Sequence, residues 1–385
     1  MSHALHRNRY PLIVLALVAA LVALGWLLVI ERGRHYHSAG DSAAVGSQRV
    51  YHWRMVTTWP KGLPGLGTAP EFFADKVAAM SGGRLQIKVF GAGELVPAFG
   101  VFDAVSQGAV EMGHGAAYYW KGKMPAAPFF AAVPFGMTAQ QQNAWLYFGG
   151  GMELWRELYE PYGVVPFAAG NTGVQMAGWF NREIRSASDL KGLTMRIPGI
   201  GGEVFARAGG TPVTIAGGEL YTSLQTGVVD AAEWVAPYND LALGLHEVTR
   251  HYYYPGWQEP GPTLELIVNA RALASLPADL QAIVEVAARA ANQEMLDEYT
   301  ARNNAALQDL RERGVDVRPL PLDVAQALMR ASEAVLADLA ASDPMARKVY
   351  ASWKPFADSV RAYHRISEQA YVELRDAVDE VANGR

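Results

Sequence analysis

Short stretches of alternating apolar and polar residues recur in this chain and are separated by helix-like stretches. Apolar positions alternate with polar ones over 193–197, which predicts a strand that ends before Pro198. Downstream the pattern repeats as a strand-like run over 213–215, a helix-like run over 219–225 and a small-residue strand over 228–232. Successive β-α-β units of this kind predict an α/β fold.

Two of these predicted strands deliver a charged side chain at their carboxyl ends. Arg196 stands at the end of the first, and Glu233 follows the run over 228–232. Because ligands of open α/β sheets collect outside the carboxyl ends of strands, we expect these two charges to form a ligand pair. An exposed surface pair, which would contribute little stability, is the alternative.

The rest of the chain predicts further strands over 51–57, 85–90, 109–113 and 164–168. Three C-terminal helices are predicted over 277–313, 323–339 and 344–381. The last exceeds the usual helix length, which indicates that its end packs on a partner chain, as in a homodimer. The stretch 105–114 also resembles 224–233, which favours two lobes built on one plan, although chance similarity would explain it too.

Composition narrows the class of protein. The chain has 385 residues, 50% hydrophobic, with a formal net charge of −5, which predicts about two globular domains after the N-terminal segment. The absence of a basic block and the mild acidity argue against nucleic acid as a partner. Cysteine is absent, which excludes disulfides, thiolate metal sites and a cysteine nucleophile.

The N-terminus predicts a membrane segment. Residues 11–30 carry no charge and are long enough to cross a bilayer as a transmembrane helix. A cleaved signal usually has a shorter hydrophobic region with small residues close behind it, so an uncleaved anchor in the inner membrane is favoured over a signal or a core helix. Residues 1–47 are therefore interpreted as anchor or signal plus linker.

The common catalytic motifs are missing. There is no GxSxG, HExxH or P-loop, and no glycine cluster completes GxGxxG. The nine histidines are scattered, which argues against a zinc or iron site. His114 is the one histidine at the end of a predicted strand, and a buried structural role is the alternative to a functional one.

Four stretches carry a resemblance to a known family. The residues NTGVQMAGWFN, SASDLKGLTMRIPGIGGEVF, SLQTGVVDAAEWVAPYND and YYYPGWQEPG resemble solute-binding proteins of tripartite ATP-independent periplasmic (TRAP) transporters, most closely the branch that binds α-keto acids. The resemblance extends from about Gln48 to the C-terminus. It implies a two-lobed periplasmic binding protein fold with a cleft between lobes, lobe I over 48–170, lobe II over 171–253, and a return to lobe I within 254–385.

The resemblance also implies a function and a site. A small monocarboxylate would be captured in the periplasm and delivered to membrane permease subunits, without catalysis. Arg196 would clamp the carboxylate, with Asn171 in the facing strand. A metal ion bridging to the substrate would be held by Gln175, Glu233 and the carbonyl oxygen of Trp234. Pocket-lining positions would be Gln258, Trp257 and Tyr118.

Physical chemistry agrees with these roles. A buried carboxylate needs a partner, and the planar guanidinium of arginine suits it. A second carboxylate, Glu233, would repel the solute unless a cation lay between them, and oxygen ligands suit Na⁺ or Ca²⁺. The solute, Glu233 and Arg196 are together balanced by one monovalent ion, so sodium is the hypothesis and calcium the alternative.

Three functions remain open at this point. The first is a binding protein for a small 2-oxo or 2-hydroxy monocarboxylate that works by hinge closure. The second is an envelope-anchored enzyme acting on a small carboxylic acid, with His114 as base. The third is a sensory subunit that uses the same pocket.

Overall fold

The computed structural model describes residues 49–382, so the predicted membrane segment at 11–30 lies outside the described residues. Within the described residues, the chain from Val50 forms one compact unit that contains a five-stranded and a six-stranded sheet. Among the described residues, no helix is both long and apolar enough to cross a membrane. The strands are β1 (Tyr51–Thr57), β2 (Leu85–Phe90), β3 (Met112–Gly115), β4 (Val164–Asn171), β5 (Gly178–Phe180), β6 (Thr194–Arg196), β7 (Thr211–Val213), β8 (Ala231–Ala232), β9 (His251–Tyr254), β10 (Thr263–Asn269) and β11 (Asp316–Pro319).

Helices cover both sheets. Those before β9 are Thr68–Met80, Val101–Ser106, Pro128–Ala131, Ala139–Phe148, Gly151–Tyr159, Gly199–Arg207, Leu220–Gln225 and Pro237–Ala242. Those after it are Ala270–Ala274, Ala278–Glu312, Leu322–Ser342, Pro344–Ile366 and Glu368–Ala382. The α/β fold class is therefore confirmed.

The five-stranded sheet has the order β2-β1-β3-β10-β4. The first three strands are parallel, and β10 runs antiparallel to both of its neighbours. Strand β10 carries a buried carboxylate, Glu265, whose oxygens accept hydrogen bonds from Trp120 Nε1 and, at 2.8 Å, from the Tyr159 hydroxyl. Burial raises the pKa of Glu265 to about 7, against the effect of these two donors. Glu265 thereby holds the end of the segment Ala117–Trp120 against the sheet.

The six-stranded sheet has the order β11-β9-β5-β8-β6-β7 and places the two predicted charges. Strand β6 is parallel to both β7 and β8, as the β-α-β pattern predicts. In the β6–β8 register Arg196 is opposite Ala232, so Glu233 leaves the sheet directly beside the arginine. The predicted strand over 228–232 is shorter in the structure, where only Ala231–Ala232 pairs.

The chain crosses between the two sheets several times. It leaves the five-stranded sheet after Asn171, forms β5 to β9 of the second sheet, and returns with β10. Strand β11 then pairs in parallel with β9 of the six-stranded sheet. Part of the segment 254–385 therefore belongs to the second sheet, and the lobe boundaries at 171 and 254 stay a prediction.

Long C-terminal helices are present, but the last one is broken. The prediction of one continuous helix over 344–381 is wrong, because Pro344–Ile366 and Glu368–Ala382 meet at Ser367, whose backbone is not helical. The Ser367 hydroxyl donates to the carbonyl of Tyr363 at 2.9 Å, which offers the backbone an alternative to the helix. The final helix buries none of its residues.

Candidate functional site

The centre of the candidate site is a buried ion pair. Arg196 and Glu233 are 1% and 0% exposed, and Arg196 Nη1 donates to Glu233 Oε1. The alternative of an exposed surface pair is therefore wrong. Two charges removed from water are stable only when paired and hydrogen-bonded, so each depends on the other.

The guanidinium of Arg196 donates four hydrogen bonds to described residues. Besides Glu233 Oε1, Nη1 donates to the Glu233 carbonyl at 3.0 Å, and Nε donates to the Ile215 carbonyl at 3.1 Å. The Tyr119 hydroxyl accepts from Nη2 at 3.1 Å. Arginine has five N–H groups, so one N–H on Nη2 has no acceptor among the described residues, and the Tyr119 hydroxyl keeps its own proton to donate. Both donors are on the Nη2 side, where an anion could be held.

Buried oxygens without donors surround this pair. Among the described residues, the atoms Gln175 Oε1, Glu233 Oε2, Gln258 Oε1 and Glu259 Oε2 have no hydrogen-bond partner. Burial raises the pKa values of both Glu233 and Glu259, and the charge of Glu233 raises that of Glu259 further. Buried oxygens without a donor are costly, and four of them grouped beside a buried ion pair would fit a positively charged ligand.

The chemistry of these donors fits a hard cation. Two carboxylates and two amides supply oxygen ligands of the kind that Na⁺ and Ca²⁺ take. Among the described residues, no three or more His, Cys, Asp or Glu side chains are grouped so that they could hold a metal. The candidate site has two carboxylates, and its other two oxygen ligands would be the amides of Gln175 and Gln258. A cation at these oxygens would also counteract the raised pKa values.

Glu259 and Tyr119 are the site residues that the sequence analysis missed. Glu259 is 4% exposed and is linked to the predicted ligand Gln175, whose backbone N–H donates to the Glu259 carbonyl at 3.2 Å. The sequence feature that indicates Glu259 is its position directly after Gln258, in a loop rich in aromatic residues and proline. Tyr119 was adjacent to the predicted Tyr118, and only the contact with Arg196 distinguishes the two.

The other predicted residues are also buried. Gln258 is held by its Nε2, which donates to the Met176 carbonyl at 2.8 Å, and Trp257 packs on Phe135. Tyr118 is close enough to Glu259 and Glu233 for their charges to raise its pKa further, after burial itself. Asn171 bonds to loops instead: its Nδ2 donates to the Gly261 carbonyl at 3.2 Å and its Oδ1 accepts from Gly173 at 2.9 Å. Its amide therefore fixes the two loops that lead to Gln175 and Gln258.

Trp234 links the ion pair to the first sheet. Its ring lies 5.0 Å from the Arg196 guanidinium carbon and 6.1 Å from the Trp59 ring. Its Nε1 donates to Asn239 Oδ1, and Asn239 Nδ2 donates to the Pro64 carbonyl at 2.6 Å. Trp59 and Pro64 follow β1, so segments that follow strands of both sheets fix the position of Trp234.

His114 is a structural histidine. Its Nδ1 accepts from Trp59 Nε1 at 2.9 Å, so its Nε2 carries the proton donated to the Ala169 carbonyl at 3.2 Å. Burial lowers its pKa to about 4, although the bond to Ala169 acts in the other direction. Both ring nitrogens are engaged within the fold, which leaves none to act as the base of an enzyme.

The sequence also matches a known protein family. Residues 55–343 match the bacterial extracellular solute-binding protein family 7. The chain belongs to this family. The resemblance to TRAP solute-binding proteins is thereby confirmed, and the chain is an extracytoplasmic solute-binding protein of a transport system rather than an enzyme.

One curated relative of this solute-binding protein is the monocarboxylate 2-oxoacid-binding periplasmic protein of Nostoc sp.. It is 47% identical over 319 residues, which cover 83% of this chain and 87% of that protein.

Two solved structures are similar over most of the chain. A TRAP periplasmic solute-binding protein from Pseudoalteromonas atlantica, with bound sodium and pyruvate, has a TM-score of 0.82 and 46% identity, covering 84% of this chain and 99% of that one. The corresponding protein from Colwellia psychrerythraea, with bound calcium and pyruvate, has a TM-score of 0.82 and 43% identity, with the same coverage of 84% and 99%. The two-sheet fold of periplasmic binding proteins is thus confirmed.

The packing of Trp234 gives a first testable prediction. A Cβ at Gly217 would lie 2.2 Å from the Trp234 ring, whereas a Cβ at the neighbouring Gly218 would meet Pro60 at an ordinary 3.7 Å. Gly217→Ala should therefore displace the indole from Arg196, with an overpacking cost of about 1–3 kcal/mol in the free energy of unfolding. Urea denaturation of both variants checks this, and equal stability of Gly217→Ala and Gly218→Ala would contradict the packing described.

Proposed function

We propose that this protein binds a small 2-oxo monocarboxylate through Arg196 and a bridging cation, and delivers it to the membrane permease of a TRAP transporter. The observation that carries the proposal is the buried Arg196–Glu233 pair, around which four oxygens have no hydrogen-bond partner among residues 49–382. Relatives at 43–47% identity whose names record a 2-oxoacid, or pyruvate with sodium or calcium, support the same solute class.

One group of residues would bind the carboxylate of the solute, and a second group would bind the cation. On one side, the free N–H of Arg196 Nη2 and the hydroxyl proton of Tyr119 would hold a carboxylate oxygen of the solute. On the other side, Gln175, Glu233 and the Trp234 carbonyl would hold the cation. The cation, when bound, supplies the positive charge that lets the solute carboxylate and keto oxygens lie beside Glu233.

The remaining residues would shape and close the site. Gln258, Trp257 and Tyr118 would line it, and Asn171 would position its loops through Gly261 and Gly173. Trp234 and Asn239 connect the six-stranded sheet to residues after β1. Closure of this protein over its solute would therefore bring both sides of the site together, as in hinged binding proteins.

The role of Arg196 is tested by Arg196→Lys, which keeps a positive charge beside Glu233 but loses the planar guanidinium. Calorimetry with pyruvate, in sodium or calcium buffer, should show an affinity loss of about 1.5–3 kcal/mol, tenfold or more. Arg207→Lys, at an exposed position, serves as the matched control. Unchanged affinity in Arg196→Lys with a normal thermal unfolding transition would refute the role, and recovery of chemically unaltered pyruvate checks that no catalysis occurs.

The uncharged segment at 11–30 supports a second part of the proposal, that the protein is anchored to the inner membrane. An anchored chain should stay with the membrane fraction after washing with carbonate or high salt. A cleaved signal would instead yield a soluble protein that lacks these residues. Fractionation followed by mass spectrometry of the mature N-terminus decides between the two.

The exposed side of the final helix supports a homodimer. Tyr371, Leu374, Val378 and Val381 are 65%, 65%, 58% and 81% exposed and follow the spacing of a helix–helix seam. Leu374→Glu should shift the protein from dimer to monomer in analytical ultracentrifugation, because it buries a charge in the seam. Val228→Glu, at a residue 64% exposed in a loop, should change nothing. A monomeric wild-type protein at micromolar concentration would contradict the homodimer.

A further inference from the structure

We infer that Lys121 and Glu203 form a gate over the opening through which the solute reaches and leaves Arg196, and that this ion pair sets the rate of release. The inference rests on the proposed function, because it concerns the passage of the solute to the carboxylate-binding arginine. The ion pair belongs to neither group of binding residues. It determines how long the site stays closed rather than what the site binds.

A cavity of about 310 Å³ extends between the exposed Glu203 and the buried Tyr118. Its volume is at the lower end of the range for small-molecule pockets. Tyr119 also lines this cavity, and its hydroxyl accepts from Arg196 Nη2. The cavity therefore borders the side of the guanidinium where an anion could be held. Because Arg196 itself is 1% exposed, a solute needs such an opening to reach it.

The helix Gly199–Arg207, which follows β6, meets the segment after β3 at two points on one face. Gly199 and Glu203 are one turn apart and share that face. A Cβ at Gly199 would lie 3.0 Å from the Cβ of Tyr118, so the helix backbone lies directly against the tyrosine. One turn further along, Glu203 Oε1 contacts Lys121 Nζ. The inner contact is close packing, whereas the outer contact depends on the ion pair.

The exposure of the ion pair suits a contact that opens and closes. The side chains of Lys121 and Glu203 are 24% and 44% exposed, so water competes for both charges and the pair is weak. The neighbouring charges on the same two segments have partners of their own: Lys123 pairs with Asp103 at 3.0 Å, and Arg207 pairs with Asp338. The contact across the opening is therefore made by Lys121 and Glu203 with each other.

The rate of pyruvate release tests the gate. Lys121→Ala and Glu203→Ala should each raise the dissociation rate constant by about two- to fivefold, the range expected of a partly exposed ion pair. The double variant should release no faster than either single variant, because both substitutions remove the same contact. The rate is measured by mixing preloaded protein with excess lactate dehydrogenase and NADH, which consume pyruvate as it is released. Thermal unfolding of each variant establishes that it folds.

A charge swap and a control pair assign the effect to this contact. Lys121→Glu combined with Glu203→Lys should restore slow release, whereas Lys121→Glu alone, which places two carboxylates face to face, should release fastest. Choline chloride, added at constant sodium and calcium, should raise the wild-type rate to that of the alanine variants, because salt screens an exposed pair. Lys348 and Glu157 form a comparably exposed pair between two other helices, and Lys348→Ala should leave the rate unchanged.

Electrostatic steering is the alternative role for charged residues at an opening. Steering predicts that Lys121→Ala slows the association of the anionic solute and that Glu203→Ala accelerates it, with the release rate unchanged. Opposite effects on association with unchanged release would overturn the gate. Additive effects of the two alanine substitutions on release would also overturn it.

A probe other than the solute separates the inference from the proposed function. Methylglyoxal, a small 2-oxo aldehyde, modifies arginine side chains and needs access to Arg196 but no carboxylate-binding site. Mass spectrometry of the peptide that contains Arg196 should show faster modification in Lys121→Ala and Glu203→Ala, and an unchanged rate in Lys348→Ala. Failure of the wild-type protein to bind pyruvate would overturn the proposed solute. Equal modification rates in the wild-type protein and both gate variants would overturn the gate, whatever the solute.

Discussion

The ion pair between Arg196 and Glu233 is the interaction on which the site depends. It forms because β6 and β8 are parallel neighbours, so that their carboxyl ends meet at one edge of the sheet. Both side chains are almost fully buried, and neither charge would be tolerable there alone. The pair does not satisfy itself, however, since one oxygen of Glu233 and one N–H of Arg196 have no partner within the part of the chain that the structure describes. This incomplete satisfaction is what a site for an anion and a cation requires.

Neutral side chains hold the pair in place. Trp234 covers the guanidinium, and its own position is fixed by Asn239, which is in turn bound to the Pro64 carbonyl after β1. On the other side Tyr119 accepts from Arg196, and its segment is held by the bond from Trp120 to Glu265. Segments that follow strands of both sheets thus converge on one guanidinium. A buried polar network of this kind specifies a single arrangement, because each displaced group would lose a partner.

His114 shows that a histidine next to a strand end can have a structural role instead of a catalytic one. Its place directly after the predicted strand over 109–113 is what made it a candidate base. The structure places both ring nitrogens in hydrogen bonds to Trp59 and Ala169, and burial keeps the ring neutral. The histidine thus connects β3 to the segments around it, and the chemistry of the site is left to the arginine, the carboxylates and the amides.

The sequence by itself determined the strand ends that carry Arg196 and Glu233, the likeness to TRAP solute-binding proteins, and the long C-terminal helices, because periodicity, stop signals and local motifs are properties of short stretches. It did not determine the break at Ser367, where a hydroxyl competes with the helix backbone. Only the tertiary structure placed Tyr119 against Arg196 and Glu259 against Gln175, and showed that Asn171 and His114 bond within the fold. Those roles depend on loops far apart in the chain that meet through packing, and no local pattern encodes which of their side chains converge.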